Sequence, residues 1–149
     1  MNDFSKVDLF DWARFVSAQE QDYQKALSEL KNGRKETHWI WYIFPQIDGL
    51  GVSSIAQNYS IKSLEEANAY LSHPVLGPRL VECAEALCGV DGKTAREIMG
   101  SPDDLKLKSS MTLFELADES LAVFSQVLEK YYGGVRDEKT ISLVGSTPY

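Results

Sequence analysis

Two stretches of the chain carry side chains that could do chemistry. Lys106-Leu107-Lys108-Ser109-Ser110 sets two ammoniums and two hydroxyls just ahead of an apolar run whose helix is expected to begin near Met111. A helix start offers unpaired backbone N–H groups and partial positive charge, so lysines and hydroxyls beside one would suit phosphate, carboxylate or a nucleotide diphosphate. The plainer reading is that Ser109 or Ser110 only caps the helix while the lysines are solvated. Asp104 and Thr112 add to the polar crowding there. The second stretch is His38-Trp39-Ile40-Trp41-Tyr42-Ile43-Phe44-Pro45-Gln46. Its aromatics could wall a pocket for a flat ring such as adenine or nicotinamide, with His38 and Gln46 as the few polar groups a pocket needs. Taken one at a time, they read better as core. If there is catalysis, His38 is the expected general acid or base, because histidine titrates near neutrality.

Other chemistries lack their patterns. No Walker loop is present, and Ser109-Ser110 has no glycine-flanked elbow of the hydrolase type. Gly49 and Gly51 do not meet the dinucleotide fingerprint. The two cysteines, Cys83 and Cys88, are not spaced as a metal knuckle and read as reduced thiols in a helix. Asp103-Asp104 is accounted for by acids favouring the first turn of a helix, and His73, before Pro74 at a helix end, reads as structural. Neither a metal nor a cofactor is expected.

The chain bounds these ideas from outside. Its 149 residues suit one domain, taken as 1–149 with an ordered core of about 7–144 and a short polar C-terminal tail. An apolar fraction of 44% and a charged fraction of 25% are those of a packed protein. A net charge of −7 argues against a surface built for nucleic acid, though it leaves room for a small basic pocket. No window is apolar enough to cross a bilayer. The polar start Met1-Asn2-Asp3-Phe4-Ser5-Lys6 is not a secretory signal, so a cytoplasmic location is expected.

The elements that would position these residues are helical. Leu9, Trp12, Ala13 and Val16 recur at helical spacing with Asp8 as a cap, and Tyr23, Ala26, Leu27 and Leu30 continue the pattern to a left-handed turn at Gly33. The segment from His38 to Phe44 is apolar all round and is read as a short buried helix rather than a strand. Ser53 or Ser54 opens a short turn. Ser63-Leu64-Glu65-Glu66, Thr94-Ala95-Arg96-Glu97 and Thr112-Leu113-Phe114-Glu115 have the spacing of capping boxes. A helix carrying Leu76, Leu80, Ala84 and Leu87 should end at Gly89. Ser101-Pro102-Asp103-Asp104 starts another, with serine as cap and proline at the first position. The stripe Leu121, Phe124, Val127, Leu128, Tyr131 closes at Gly133-Gly134, and Asp137 caps a last helix with Ile141 and Val144. The fold expected is all-α, a compact array of seven to nine short helices with little or no sheet.

The stretches His38–Gln46, Tyr70-Leu71-Ser72-His73-Pro74-Val75-Leu76-Gly77-Pro78-Arg79-Leu80 and Asp103-Asp104-Leu105-Lys106-Leu107-Lys108-Ser109-Ser110-Met111-Thr112-Leu113-Phe114 resemble, in order, those of a bacterial family, domain of unknown function 1810. The resemblance runs from about Leu9 to Val144. It implies a compact, mainly helical domain and carries no reaction with it. Some members bear the label calpastatin, but that inhibitor is a disordered chain, unlike this composition.

The leading expectation is a site for a nucleotide-like or phosphorylated small molecule. Its anion subsite would be Lys106, Lys108, Ser109 and Ser110, its aromatic subsite Trp39, Trp41 and Gln46, and His38 would supply any hydrolase-type acid–base chemistry. The alternative is a non-enzymatic protein-interaction or homo-oligomerising helical module that docks through exposed aromatics, a flat patch of Trp39 or Trp41 among them. The ligand reading requires the two stretches to meet in space.

Overall fold

The computed structural model describes residues 10–145, which contain nine helices in chain order. These are α1 (Ala13–Lys31), α2 (Ile40–Ile43), α3 (Ser54–Asn58), α4 (Leu64–Ser72), α5 (Leu76–Cys88), α6 (Ala95–Met99), α7 (Asp103–Ala117), α8 (Ala122–Tyr132) and α9 (Glu138–Gly145). Asp8, Leu9, the polar start of the chain and residues 146–149 lie outside the described residues. The described residues hold no strand. One parallel bridge joins Ile47 to Ile61, through Asp48 N–H to the Ile61 carbonyl and Ile61 N–H to the Gln46 carbonyl, both 2.8 Å.

Short-range signals set most of the ends. The patterns around Trp12 and Tyr23 merge into the single helix α1, whose last carbonyls meet a turn at Gly33, with φ of 72°. Ser53 caps α3. Thr94 and Glu97 form a complete capping box on α6. Gly133 takes the left-handed conformation after α8, and the Asp137 carboxylate accepts from the backbone N–H and hydroxyl of Thr140 at the start of α9. Ser63 caps α4, but the Glu66 carboxylate accepts from Lys62 N–H and Arg14 instead of closing the box. Burial explains the change. Glu66 is 1% exposed and needs a cation, which Arg14 supplies at 3.0 Å.

The Thr112 box and the separate helix expected near Met111 are corrected. Both fall inside α7, which begins at Asp103 with Pro102 at its cap and no side-chain cap from Ser101. Helices α4, α6, α8 and α9 pack around α7, so polar and apolar positions alike become interior. The hydroxyls tolerate this by bonding back along the helix: Ser109 Oγ donates to the Leu105 carbonyl at 3.1 Å and Thr112 Oγ1 to the Lys108 carbonyl at 2.8 Å. Thr112 Oγ1 also accepts from Asp137 N–H, fixing the entry to α9.

The core is aromatic along its length. Phe15 meets Tyr70 edge-on at 5.3 Å, Tyr70 meets Phe114 at 5.3 Å, and Phe114 meets Phe124 at 5.9 Å, so one line of rings crosses α1, α4, α7 and α8. The Tyr70 hydroxyl, inside this core, accepts from Gln19 Nε2 at 3.1 Å.

His73, expected to be structural, has a specific task. Its Nδ1 accepts from the N–H groups of Val75 (3.1 Å) and Leu76 (3.2 Å), capping α5, while its ring packs on Trp12. Partial burial lowers its pKa, and protonation at Nδ1 would remove the acceptor. The unfolded chain therefore takes up the proton first, and stability falls as pH drops through the ordinary imidazole range. Urea-unfolding midpoints measured from pH 7.5 to 5 are expected to decline in the wild type. His73→Asn, which caps without titrating, should flatten that part of the slope; an unchanged slope would refute the assignment.

Candidate functional site

The site is built where the loop between α1 and α2 meets the first turn of α7. Gly33 turns the chain, and Lys35 N–H donates to the Ile98 carbonyl of α6 at 2.7 Å. The loop is then gathered on one carboxylate. Glu29, 7% exposed near the end of α1, accepts from Glu36 N–H (2.8 Å), Thr37 N–H (3.1 Å), the Thr37 hydroxyl (2.7 Å) and the Trp39 indole N–H (2.9 Å). Burial alone would raise its pKa. The hydrogen bonds from Thr37, Glu36 and Trp39 outweigh it and hold the carboxyl at about 2.

A cluster of opposite charges and rings follows from that loop. Lys35 Nζ lies 5.0 Å from the Trp39 ring centroid, donates to the Thr37 carbonyl at 2.6 Å and pairs with Asp103 Oδ2 at 3.0 Å. The other oxygen of Asp103 stands 3.6 Å from Lys106 Nζ, and that ammonium lies 5.5 Å from the Trp41 ring centroid. Two ammoniums share one carboxylate. Side-chain exposure rises outward, from 6% for Lys35 through 18% for Asp103 to 29% for Lys106. Lys106 is the most solvent-reached of the three charges.

Of the residues expected to form the site, the fold brings Trp41, Gln46 and Lys106 into one region. Trp41 and Gln46, both half-buried, line a hollow with Ile47, Gly51, Ala56, Tyr59 and Ser60 whose free space is about 10 Å³, room for one water. His38 is exposed just before α2, and its carbonyl accepts from the Tyr42 hydroxyl at 3.3 Å. That hydroxyl also donates to Asp22, and burial followed by this contact raises the Tyr42 phenol pKa.

Four expected positions need correction. Trp39 is fully buried with its N–H spent on Glu29, so it supports the loop and presents no face to a ligand. Lys108 stands on another side of α7, 6.0 Å from the Tyr132 ring centroid on α8, because two residues along a helix turn through about 200°. Ser109 and Ser110, 5% and 0% exposed, sit in mid-helix, away from any helix start. The Ser110 hydroxyl and Asp104 Oδ1 are the buried side-chain atoms without a hydrogen-bond partner among the described residues.

Glu29, Lys35 and Asp103 were not singled out for the site from the sequence. Lys35 belonged to a turn and Asp103 to a helix start. A signal for part of the cluster existed, since Asp103 and Lys106 are three apart on a helix, the spacing at which opposite charges meet. Among the described residues, no group of three or more His, Cys, Asp or Glu is placed to hold a metal ion, and no helix is long and apolar enough to cross a membrane.

The all-helical fold agrees with what comparison with other proteins finds. The chain belongs to the family described as "Protein of unknown function (DUF1810)", which it matches over residues 9–144. Its fold is similar to that of the conserved hypothetical protein Rv1873 from Mycobacterium tuberculosis, with a TM-score of 0.91 and 51% identity over 93% of this chain and 99% of that one. Among curated proteins, nothing matches.

Proposed function

We propose that the protein binds a nucleotide-like or phosphorylated small molecule across the outer edge of Trp41, Gln46 and Lys106. The observation that carries this reading is the meeting of Trp41 and Lys106, which come from distant parts of the chain and lie 5.5 Å apart at a partly exposed corner. A cation beside an aromatic face pairs one group for an anion with one for a ring, the two halves of a nucleotide. The hollow behind Trp41 is far smaller than the roughly 300 Å³ of an enclosing ligand pocket. The ligand therefore lies along the surface, with its anion on Lys106 and its ring against Trp41. Exposed His38, on the loop that Glu29 gathers, is the acid–base group of this reading, whose setting is the cytoplasm.

A thermal-shift series with AMP, ATP, pyrophosphate and inorganic phosphate tests it. Ligand at a hundred times its Kd adds about 2.7 kcal/mol of stability. We expect a rise with at least one nucleotide, abolished in Lys106→Ala, reduced in Trp41→Ala and kept in Lys108→Ala. No rise with any of these ligands for the wild type would leave the proposal without support.

A homo-oligomerising module is the second reading, favoured by the exposed Val52 and Ile55, next in sequence to Gly51 and Ala56 in the wall of the same hollow. The tryptophans that were to do the docking are fully buried (Trp39) or half-buried (Trp41). Sedimentation at increasing concentration separates the two readings.

A further inference from the structure

We infer that Asp103 is a built-in competitor of the ligand: its outer oxygen holds Lys106 in the place that a terminal phosphate takes when it binds. The inference rests on the ligand reading of this corner and adds its ligand class and its regulation.

The two oxygens of Asp103 do unequal work. Oδ2 meets Lys35 at 3.0 Å, and Lys35 is nearly buried and is held as well by the Thr37 carbonyl and the Trp39 ring. Oδ1 meets Lys106 at 3.6 Å, within one helical turn and at a partly exposed position. A loose, solvent-reached pair of this kind contributes little and exchanges readily, whereas the inner pair is fixed by its surroundings. Lys106 can therefore turn from Asp103 to an incoming anion without disturbing Lys35.

Charge selects the anion. Lys35, Asp103 and Lys106 together carry one positive charge. The acid next in sequence, Asp104, belongs to another side of α7, where its carbonyl accepts from the Tyr132 hydroxyl and Lys108 lies over the Tyr132 ring. To displace a carboxylate from Lys106, a ligand needs a group of higher charge density than a carboxylate. A phosphate monoester, close to a dianion at neutral pH, meets that need; a carboxylate ligand only matches Asp103.

The test compares AMP, inorganic phosphate and acetate binding by isothermal titration calorimetry in wild type, Asp103→Asn, Lys106→Ala and the double variant. Asparagine keeps an acceptor for Lys35 and removes the competing charge. We expect Asp103→Asn to bind AMP and phosphate about three- to tenfold more tightly than wild type, with the gain lost in the double variant. In each protein acetate should bind more weakly than phosphate. Should Asp103→Asn not fold, the carboxyl ¹³C resonance of Asp103 in the wild type supplies the readout, and it is expected to move when phosphate is added. Wild-type binding that is equal or weaker in Asp103→Asn, a gain that survives loss of Lys106, or an unmoved resonance on saturation would overturn the competitor role and leave the ligand site standing. Absence of binding in every variant would remove the ligand site itself.

Discussion

Gly77→Ala is expected to lower stability by about 3 kcal/mol or more and the melting temperature by roughly 10 °C, among the largest effects of any conservative change in this chain. A Cβ on Gly77 would stand 2.1 Å from the Leu71 carbonyl oxygen and 2.8 Å from its carbon. Those atoms are backbone and cannot swing aside. The approach is dictated by the tight turn from α4 into α5, in which Gly77 N–H donates to the His73 carbonyl at 3.1 Å and His73 caps the new helix. Gly77 itself needs no unusual backbone angles, so the cost comes from contact alone. Gly92→Ala provides the contrast: nothing lies within 4 Å of its Cβ position, and its penalty comes from its φ of 74°. Differential scanning calorimetry of the two variants checks this, and a Gly77→Ala protein as stable as wild type would show that the α4–α5 turn relaxes freely.

Glu29→Gln is the second large effect, expected at about 3 kcal/mol. Glu29 accepts four hydrogen bonds from the loop that leads into α2, and glutamine offers a single neutral acceptor oxygen beside an amide that meets donors with donors. The same interactions predict a pH dependence. The folded carboxyl titrates at about 2 against 4.5 for the free group, so its contribution is fully present above about pH 4.5 and is lost as pH falls toward 2. A difference of that size corresponds to about 3 kcal/mol. Denaturant unfolding at pH 7, 4 and 3 should show the gap between wild type and Glu29→Gln narrowing with acid; a constant gap would mean that charge on Glu29 contributes nothing.

Much of the helical frame was readable locally. The Thr94–Glu97 box, the turns at Gly33 and Gly133 and the Asp137 cap each depend on residues within about four positions of one another, and each stands where its spacing implied. The errors share a cause. By type and spacing Ser109, Ser110 and Thr112 suit the opening of a helix, because their hydroxyls compete for backbone groups. In the folded protein the hydroxyls of Ser109 and Thr112 bond to carbonyls one turn back, so both residues lie inside α7. Periodicity could not expose the mistake, since a helix surrounded by neighbours has no polar face to keep in register.

The sequence by itself determined the all-helical class, the family, most helix ends and the two stretches in which to look for a site. Only the tertiary structure decided that Trp41 faces Lys106, that Trp39 is sealed against Glu29, that Lys35 and Asp103 join the corner, and that Gly77 must lack a side chain. Caps and turns are set by dihedral preferences and hydrogen bonds over a few residues, which spacing records directly. The corner depends on which helix faces pack together, and that is settled by the burial of the whole core at once.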